Sequence, residues 1–104
     1  MPARRRSPPP DVEHMYKLRD VDGLLKVAMQ KDAPMEIRIM AIDALGEIGD
    51  SRAVEPLIEL LKSDDYLYVR KRAAYTLYLF LKREGLSDAL RQKIMSHWRS
   101  WYLT

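Results

Sequence analysis

The feature that most constrains this chain is that it repeats itself. Laid over itself at an offset of 33, Val21, Leu24, Leu25, Val27, Ala28 and Asp32 meet Val54, Leu57, Ile58, Leu60, Leu61 and Asp65. Past the next loop the offset becomes 32, and Ile37, Arg38, Ala41, Ala44 and Leu45 meet Val69, Arg70, Ala73, Thr76 and Leu77. Register kept on both sides of a one-residue slip marks a duplicated structural unit, because loops absorb single insertions and packed helices do not. Each unit holds two apolar stripes. It reads as a helical hairpin that cannot bury both of its sides alone, so neighbouring hairpins must stack and share a core.

The helix ends are written in local chemistry. Asp11 and Asp20 are N-caps for helices over about 12–18 and 21–30. Pro34 sits near the first position of a third helix running to about residue 48, and Gly49 is its natural C-cap. A fourth helix spans about 53–62, with Pro56 tolerated in the first turn. A fifth runs from about 66 to 83 and stops at Gly85. Ser87 caps a sixth, which carries Leu90, Ile94, Trp98 and Trp101 on one face. No segment reads as a strand. The expected fold is therefore all-α: an α-α superhelix, a short solenoid of about six helices. Residues 1–10 are expected to form a flexible, basic, proline-rich tail. Residues 11–104 are the helical domain, with repeat one at about 20–50, repeat two at about 51–83 and a C-terminal capping helix at about 87–102.

The run Ile37-Arg38-x-x-Ala41-x-x-Ala44-Leu45-Gly46-x-Ile48-Gly49-Asp50 precedes Ala53-Val54-x-Pro56-Leu57-Ile58-x-Leu60-Leu61, and Val69-Arg70-x-x-Ala73-Ala74-x-x-Leu77 returns to the same signature. Over residues 11 to 81 this resembles HEAT repeats of the phycobilisome-lyase-like type. The resemblance implies a binding scaffold for other proteins; a minority of such domains bind nucleic acid or attach chromophores. It also implies that an Asp near the hairpin turn bonds the Arg that opens the second helix, here Asp32 with Arg38, and Asp64 or Asp65 with Arg70. The second repeat departs from the pattern, because Tyr78-Leu79-Phe80-Leu81 replaces the Gly-x-Ile-Gly-Asp ending.

Reactive chemistry has little to work with. There are no cysteines, which removes disulfides and thiolate metal sites. The two histidines, His14 and His97, lie in different helices, with no His-x-x-x-His spacing and no following Glu. No serine sits in a nucleophile elbow, and Gly46-x-x-Gly49 lacks the Lys-Ser/Thr of a phosphate loop. No apolar run approaches the roughly 20 residues of a membrane span. The expectation is a cytoplasmic, non-catalytic protein with no cofactor and no membrane partner.

Charge and aromatic content are unevenly placed. Residues 11–65 hold 13 acids and 7 bases, whereas residues 66–104 hold 2 acids and 8 bases. Of nine aromatics, only Tyr16 precedes residue 66. Three readings follow. The first is docking of another protein on the outer ridge of the second helices, at Ile39, Met40 and Asp43 in one repeat and Lys71, Arg72, Tyr75 and Leu79 in the other, with Trp98 and Trp101 adding an aromatic cap. The second is nucleic acid bound by the basic, aromatic half. The third is self-association, through opposite charges or by burying Trp98 or Trp101 between copies.

Overall fold

The two offsets of the repeat reappear in the helix starts. The computed structural model describes residues 10–64 and 66–103, with side chains as far as residue 99. Six α-helices follow one another: α1 (Val12–Lys17), α2 (Val21–Met29), α3 (Met35–Ile48), α4 (Val54–Ser63), α5 (Leu67–Lys82) and α6 (Asp88–Leu103). A single 3-10 turn, Ser51–Ala53, leads into α4. The first helices of the two hairpins begin at Val21 and Val54, 33 residues apart. The second helices begin at Met35 and Leu67, 32 apart.

Caps end the helices where the sequence places them. Asp11 accepts the His14 amide at 3.0 Å, and Asp20 accepts the Gly23 amide at 2.9 Å. Gly49 closes α3 in the left-handed conformation, φ 72°, which a side chain rarely tolerates. Asp50 then turns the chain by accepting the Arg52 amide at 2.9 Å.

The helices form two layers of three. In one layer α1 packs on α3 and α3 on α5; in the other α2 packs on α4 and α4 on α6. The hairpin contacts α2–α3 and α4–α5 join the layers. The short α1 thus sits in the second-helix layer ahead of repeat one, and α6 sits in the first-helix layer after repeat two. Among the described residues every element is helix, turn or loop.

The shared seam is the repeat's own apolar set. Leu24, Ala28, Ala41, Leu45, Leu57, Leu61, Val69, Ala73 and Leu77 are all buried, joined by Ile42, Phe80 and Ile94. Removing apolar area from water at about 25 cal/mol per Å² drives this packing. Small residues set the helix spacing. The second hairpin's Thr76 lies so close to Gly46 that a Cβ there would meet the Thr76 methyl at 2.9 Å. A glycine in the last turn of α3 is therefore a packing requirement that outweighs its poor helix propensity.

One expected pairing is different. Arg38 bonds Asp64, not Asp32: its Nη2 donates to the Asp64 carboxylate at 2.5 Å, and its Nε donates to the Ala28 carbonyl at 2.9 Å. Asp32 is exposed, whereas Asp64 at the end of α4 is buried and faces the adjacent hairpin. The bond therefore runs between repeats. Arg70 does meet Asp64, through that residue's backbone carbonyl at 2.5 Å.

Candidate functional site

Eleven large apolar or aromatic side chains are exposed among the described residues, and their distribution is lopsided. Eight belong to α1, α3, α5 or the residue closing α1: Tyr16, Leu18, Met35, Met40, Leu67, Tyr68, Tyr75 and Tyr78. The other layer has only Met29 and Met95, and Tyr66 lies in a loop. Isolated exposed apolar groups are ordinary; eight on one layer against two on the other is an uneven distribution.

Helical register explains how they come together. On α3 the residues Glu36, Met40, Asp43 and Glu47 recur every three to four positions and share one face. On α5 the equivalent face is Tyr68, Arg72, Tyr75 and Leu79, under the same offset of 32. Opposite these faces lie Ala41 and Leu45 on α3 and Ala73, Ala74 and Leu77 on α5, all buried. Burying one side of each helix thus leaves the other side as the ridge.

Asp43 and Arg72 tie the two helices together across it. Arg72 Nε donates to Asp43 Oδ1 at 2.6 Å and Nη2 to Oδ2 at 2.7 Å, a bidentate fork. The Asp43 carboxylate raises the Arg72 pKa above its usual value. Both side chains are about two-fifths exposed, so the pair helps set the spacing of the ridge more than it stabilises the core. At one end of the ridge Met35, Glu36, Ile39 and Tyr68 line a recess of about 310 Å³. Met40 and Tyr75, 48% and 55% exposed, stand at its middle.

The predicted site residues therefore fall into groups. Met40, Lys71 and Tyr75 are exposed on the ridge, and Asp43 and Arg72 form its ion pair. Ile39 is half-buried at the recess and packs against the core; Leu79 is half-buried at the far end. Trp98 is half-buried against the core on α6, in the opposite layer. Trp101 lies outside the residues whose side chains are described. Sequence reasoning missed Met35 and Leu67, and read Tyr68 only among the aromatics of the basic half. The signal was available: the offset of 32 places Met35 opposite Leu67 at equivalent first-turn positions.

A second and larger groove, about 750 Å³, runs along the opposite layer between α2, α4 and α6. Leu25, Met29, Pro56 and Ile58 form its apolar part, with acids and bases mixed around the rim. Lys93 Nζ bonds Glu55 Oε1 at 2.6 Å on that rim and holds the Glu55 carboxyl below its usual pKa.

The basic second half is largely committed to internal bonds. Arg83 Nη2 donates to the Gly46 and Glu47 carbonyls at 2.8 and 2.7 Å, and Arg91 Nη1 donates to the Leu81 carbonyl at 2.7 Å. With Arg38 on Ala28 and Arg70 on Asp64, four helix C-termini from α2 to α5 each have an arginine on their last carbonyls. Those carbonyls lack intrahelical donors and carry the negative end of the helix dipole. Lys82 lies 4.9 Å from the Tyr78 ring centroid. Only Lys71 and Arg99 of this half's bases have no ion pair, hydrogen bond or ring contact with a described residue.

Among the described residues no group of three or more His, Asp or Glu side chains could hold a metal ion, and no helix is long and apolar enough to cross a membrane. His14 lies on α1 and His97 on α6, where its Nδ1 is 2.9 Å from the Lys93 carbonyl.

Comparison with known proteins agrees with the architecture. A model of HEAT repeats matches residues 21–95. Over 55 residues the chain is 44% identical to the phycocyanobilin lyase subunit alpha of Picosynechococcus sp., a match covering 53% of this chain and 20% of that protein. The chain thus spans about a fifth of the length of that relative. No solved structure matches the chain. With the repeat, the two stacked hairpins and the family model all covering the same residues, the chain belongs to the HEAT-repeat family.

Proposed function

We propose that this protein is a non-catalytic docking module that holds a protein partner on the ridge of α1, α3 and α5. The observation that carries the reading is the one-sided exposure of eight large apolar and aromatic side chains on that layer. HEAT repeats generally mediate protein interactions, and in stacked hairpins the second helices offer a continuous surface. Tyrosine and methionine suit such a role: Tyr brings a large rigid contact area with a polar tip, and Met adapts to the shape it meets.

The internal use of the arginines supports a protein partner over a nucleic acid. Phosphate binding needs several free cations, and Arg70, Arg72, Arg83 and Arg91 are already bonded to carbonyls or a carboxylate. The test is affinity capture from the source cell, with and without nuclease, using the native chain beside Tyr75→Ala and Met40→Asp. Both substitutions are at exposed positions, and an unchanged helical circular dichroism is the control that each variant folds. The expected result is nuclease-resistant capture of a protein by the native chain, lost from both variants. Capture unchanged in both variants would remove the ridge from the function, and material lost on nuclease treatment would point to nucleic acid.

A further inference from the structure

The charges on the ridge are sorted by helix. Every exposed charge on α3 is acidic: Glu36 and Glu47 stand free at the surface, and its one base, Arg38, is fully buried. Helix α5 contains no acid at all and exposes Lys71 and Lys82. Asp43 and Arg72 are the point where the two helices neutralise each other. Glu36 to Glu47 and Lys71 to Lys82 each span eleven residues, about three helical turns on one face. Between the row of Glu36 and Glu47 and the row of Lys71 and Lys82, of equal length, run Tyr68, Tyr75 and Leu79 beside the Asp43–Arg72 pair.

From this sorting we infer that the occupant of the ridge is an amphipathic α-helix of a partner, with an apolar stripe flanked by Lys or Arg on one side and Asp or Glu on the other. The inference rests on the docking role proposed above and adds the chemistry of what docks. A helix fits for two reasons. The described residues offer no sheet edge to which an extended peptide could add. The seam between two adjacent helices, by contrast, accepts a third by ridges entering grooves. Tyr75 meets the apolar stripe near its centre, Met40 flanks it beside the acidic row, and the recess at Ile39 and Tyr68 takes one apolar side chain at its end. The basic flank lies along Glu36 and Glu47, the acidic flank along Lys71 and Lys82. Four exposed ion pairs contribute little each, but their opposite signs fix the direction in which the helix lies, because turning it end for end would set like charges against each other.

The probe is a displayed library of random peptides of about 15 residues, selected on the full chain. The selected peptides are expected to carry apolar residues at helical spacing with bases on one flank and acids on the other. Their affinity is expected to fall about tenfold or more on a chain carrying Glu36→Gln, Glu47→Gln, Lys71→Gln and Lys82→Gln. All four positions are exposed, and unchanged circular dichroism verifies the variant's fold. Selected peptides that require Tyr75 but show no charge sorting, or that bind the neutralised chain equally well, overturn this inference and leave the ridge as the docking surface. If no selected peptide depends on Tyr75, or none is selected, both the inference and the ridge are overturned.

Discussion

Arg38 on α3 and Asp64 at the end of α4 form a fully buried ion pair, Nη2 to Oδ2 at 2.5 Å, that joins one hairpin to the next. The same guanidinium caps α2 through the Ala28 carbonyl, and the same carboxylate accepts the Tyr66 amide at 3.0 Å ahead of α5. Four helices therefore meet at two side chains. Arg38 Nη1 has no hydrogen-bond partner among the described residues. An incompletely bonded buried charge adds little net stability, so the pair acts chiefly to fix how the hairpins register.

Removing one partner should cost far more than removing both. Asp64→Ala leaves a buried guanidinium without its counter-charge, for which the expected loss is about 3–5 kcal/mol. At roughly 4–8 °C per kcal/mol for a domain of this size, that lowers Tm by more than about 12 °C. Arg38→Met with Asp64→Leu should recover most of the loss. Thermal unfolding of the two variants beside the native chain measures this; equal Tm for Asp64→Ala and the native chain would contradict it.

The same pair sets an acid limit. Burial alone would raise the Asp64 carboxyl, but the Arg38 hydrogen bond, the Tyr66 amide and nearby positive charge outweigh it and hold the pKa below its ordinary 3.8. The unfolded chain then binds more protons than the folded one, so stability is fully present above the unfolded value and is lost as pH falls through the lower folded value. Asp50, bonded to Arg52, and Glu55, bonded to Lys93, are shifted in the same direction but lie at the surface. Unfolding free energy measured from pH 6 down to pH 2 should decline below about pH 4. In Asp64→Asn the decline should be shallower, and a slope unchanged from the native chain would remove Asp64 as its source.

Gly46 tests whether the stack is held by close helix approach. Alanine in place of glycine inside a helix gains about 0.8–1 kcal/mol of propensity. Here the new methyl meets Thr76 Cγ2 at 2.9 Å, and overpacking costs typically about 1–3 kcal/mol. The packing term is the larger, so Gly46→Ala should destabilise by about 1 kcal/mol. Pairing it with Thr76→Ser, which removes that methyl, should restore or exceed native stability. Denaturant midpoints decide the matter; a stabilising single variant would show that the contact yields.

Arg83 distinguishes a structural base from a ligand-binding one. Its guanidinium satisfies the Gly46 and Glu47 carbonyls at the end of α3. Arg83→Ala should cost about 0.5–1.5 kcal/mol and speed amide exchange in the last turn of α3. Its effect on retention by single-stranded nucleic acid should be small. A large loss of retention with native stability would reverse that assignment.

The architecture was legible because it depends on periodicity and caps, both local. Val21 and Val54, Asp20, Gly49 and Ser87 each mark an element from its own neighbourhood, and a repeated pattern marks each hairpin twice. What escaped was long-range. Asp32 and Asp64 both sit near hairpin turns, and only the stacking angle decides that Asp64 turns inward to Arg38. Nothing local says that Arg83 and Arg91 end on helix carbonyls of other elements, so the basic half looked freer for phosphate than it is. Ridge residues were legible in mid-helix, where Met40 falls opposite the buried Leu45 and Tyr75 opposite the buried Ala73. Met35 and Leu67 were missed because first-turn residues read as helix entries.

The docking role proposed for this protein requires that the ridge of second helices be the surface that meets a partner. Site-specific photo-crosslinking tests this directly, with the crosslinker at position 40 or 75 on the ridge and at position 29 or 95 on the opposite layer, in the source cell. The predicted result is one protein adduct from positions 40 and 75 and none from 29 and 95. Adducts formed only from positions 29 and 95 would contradict it.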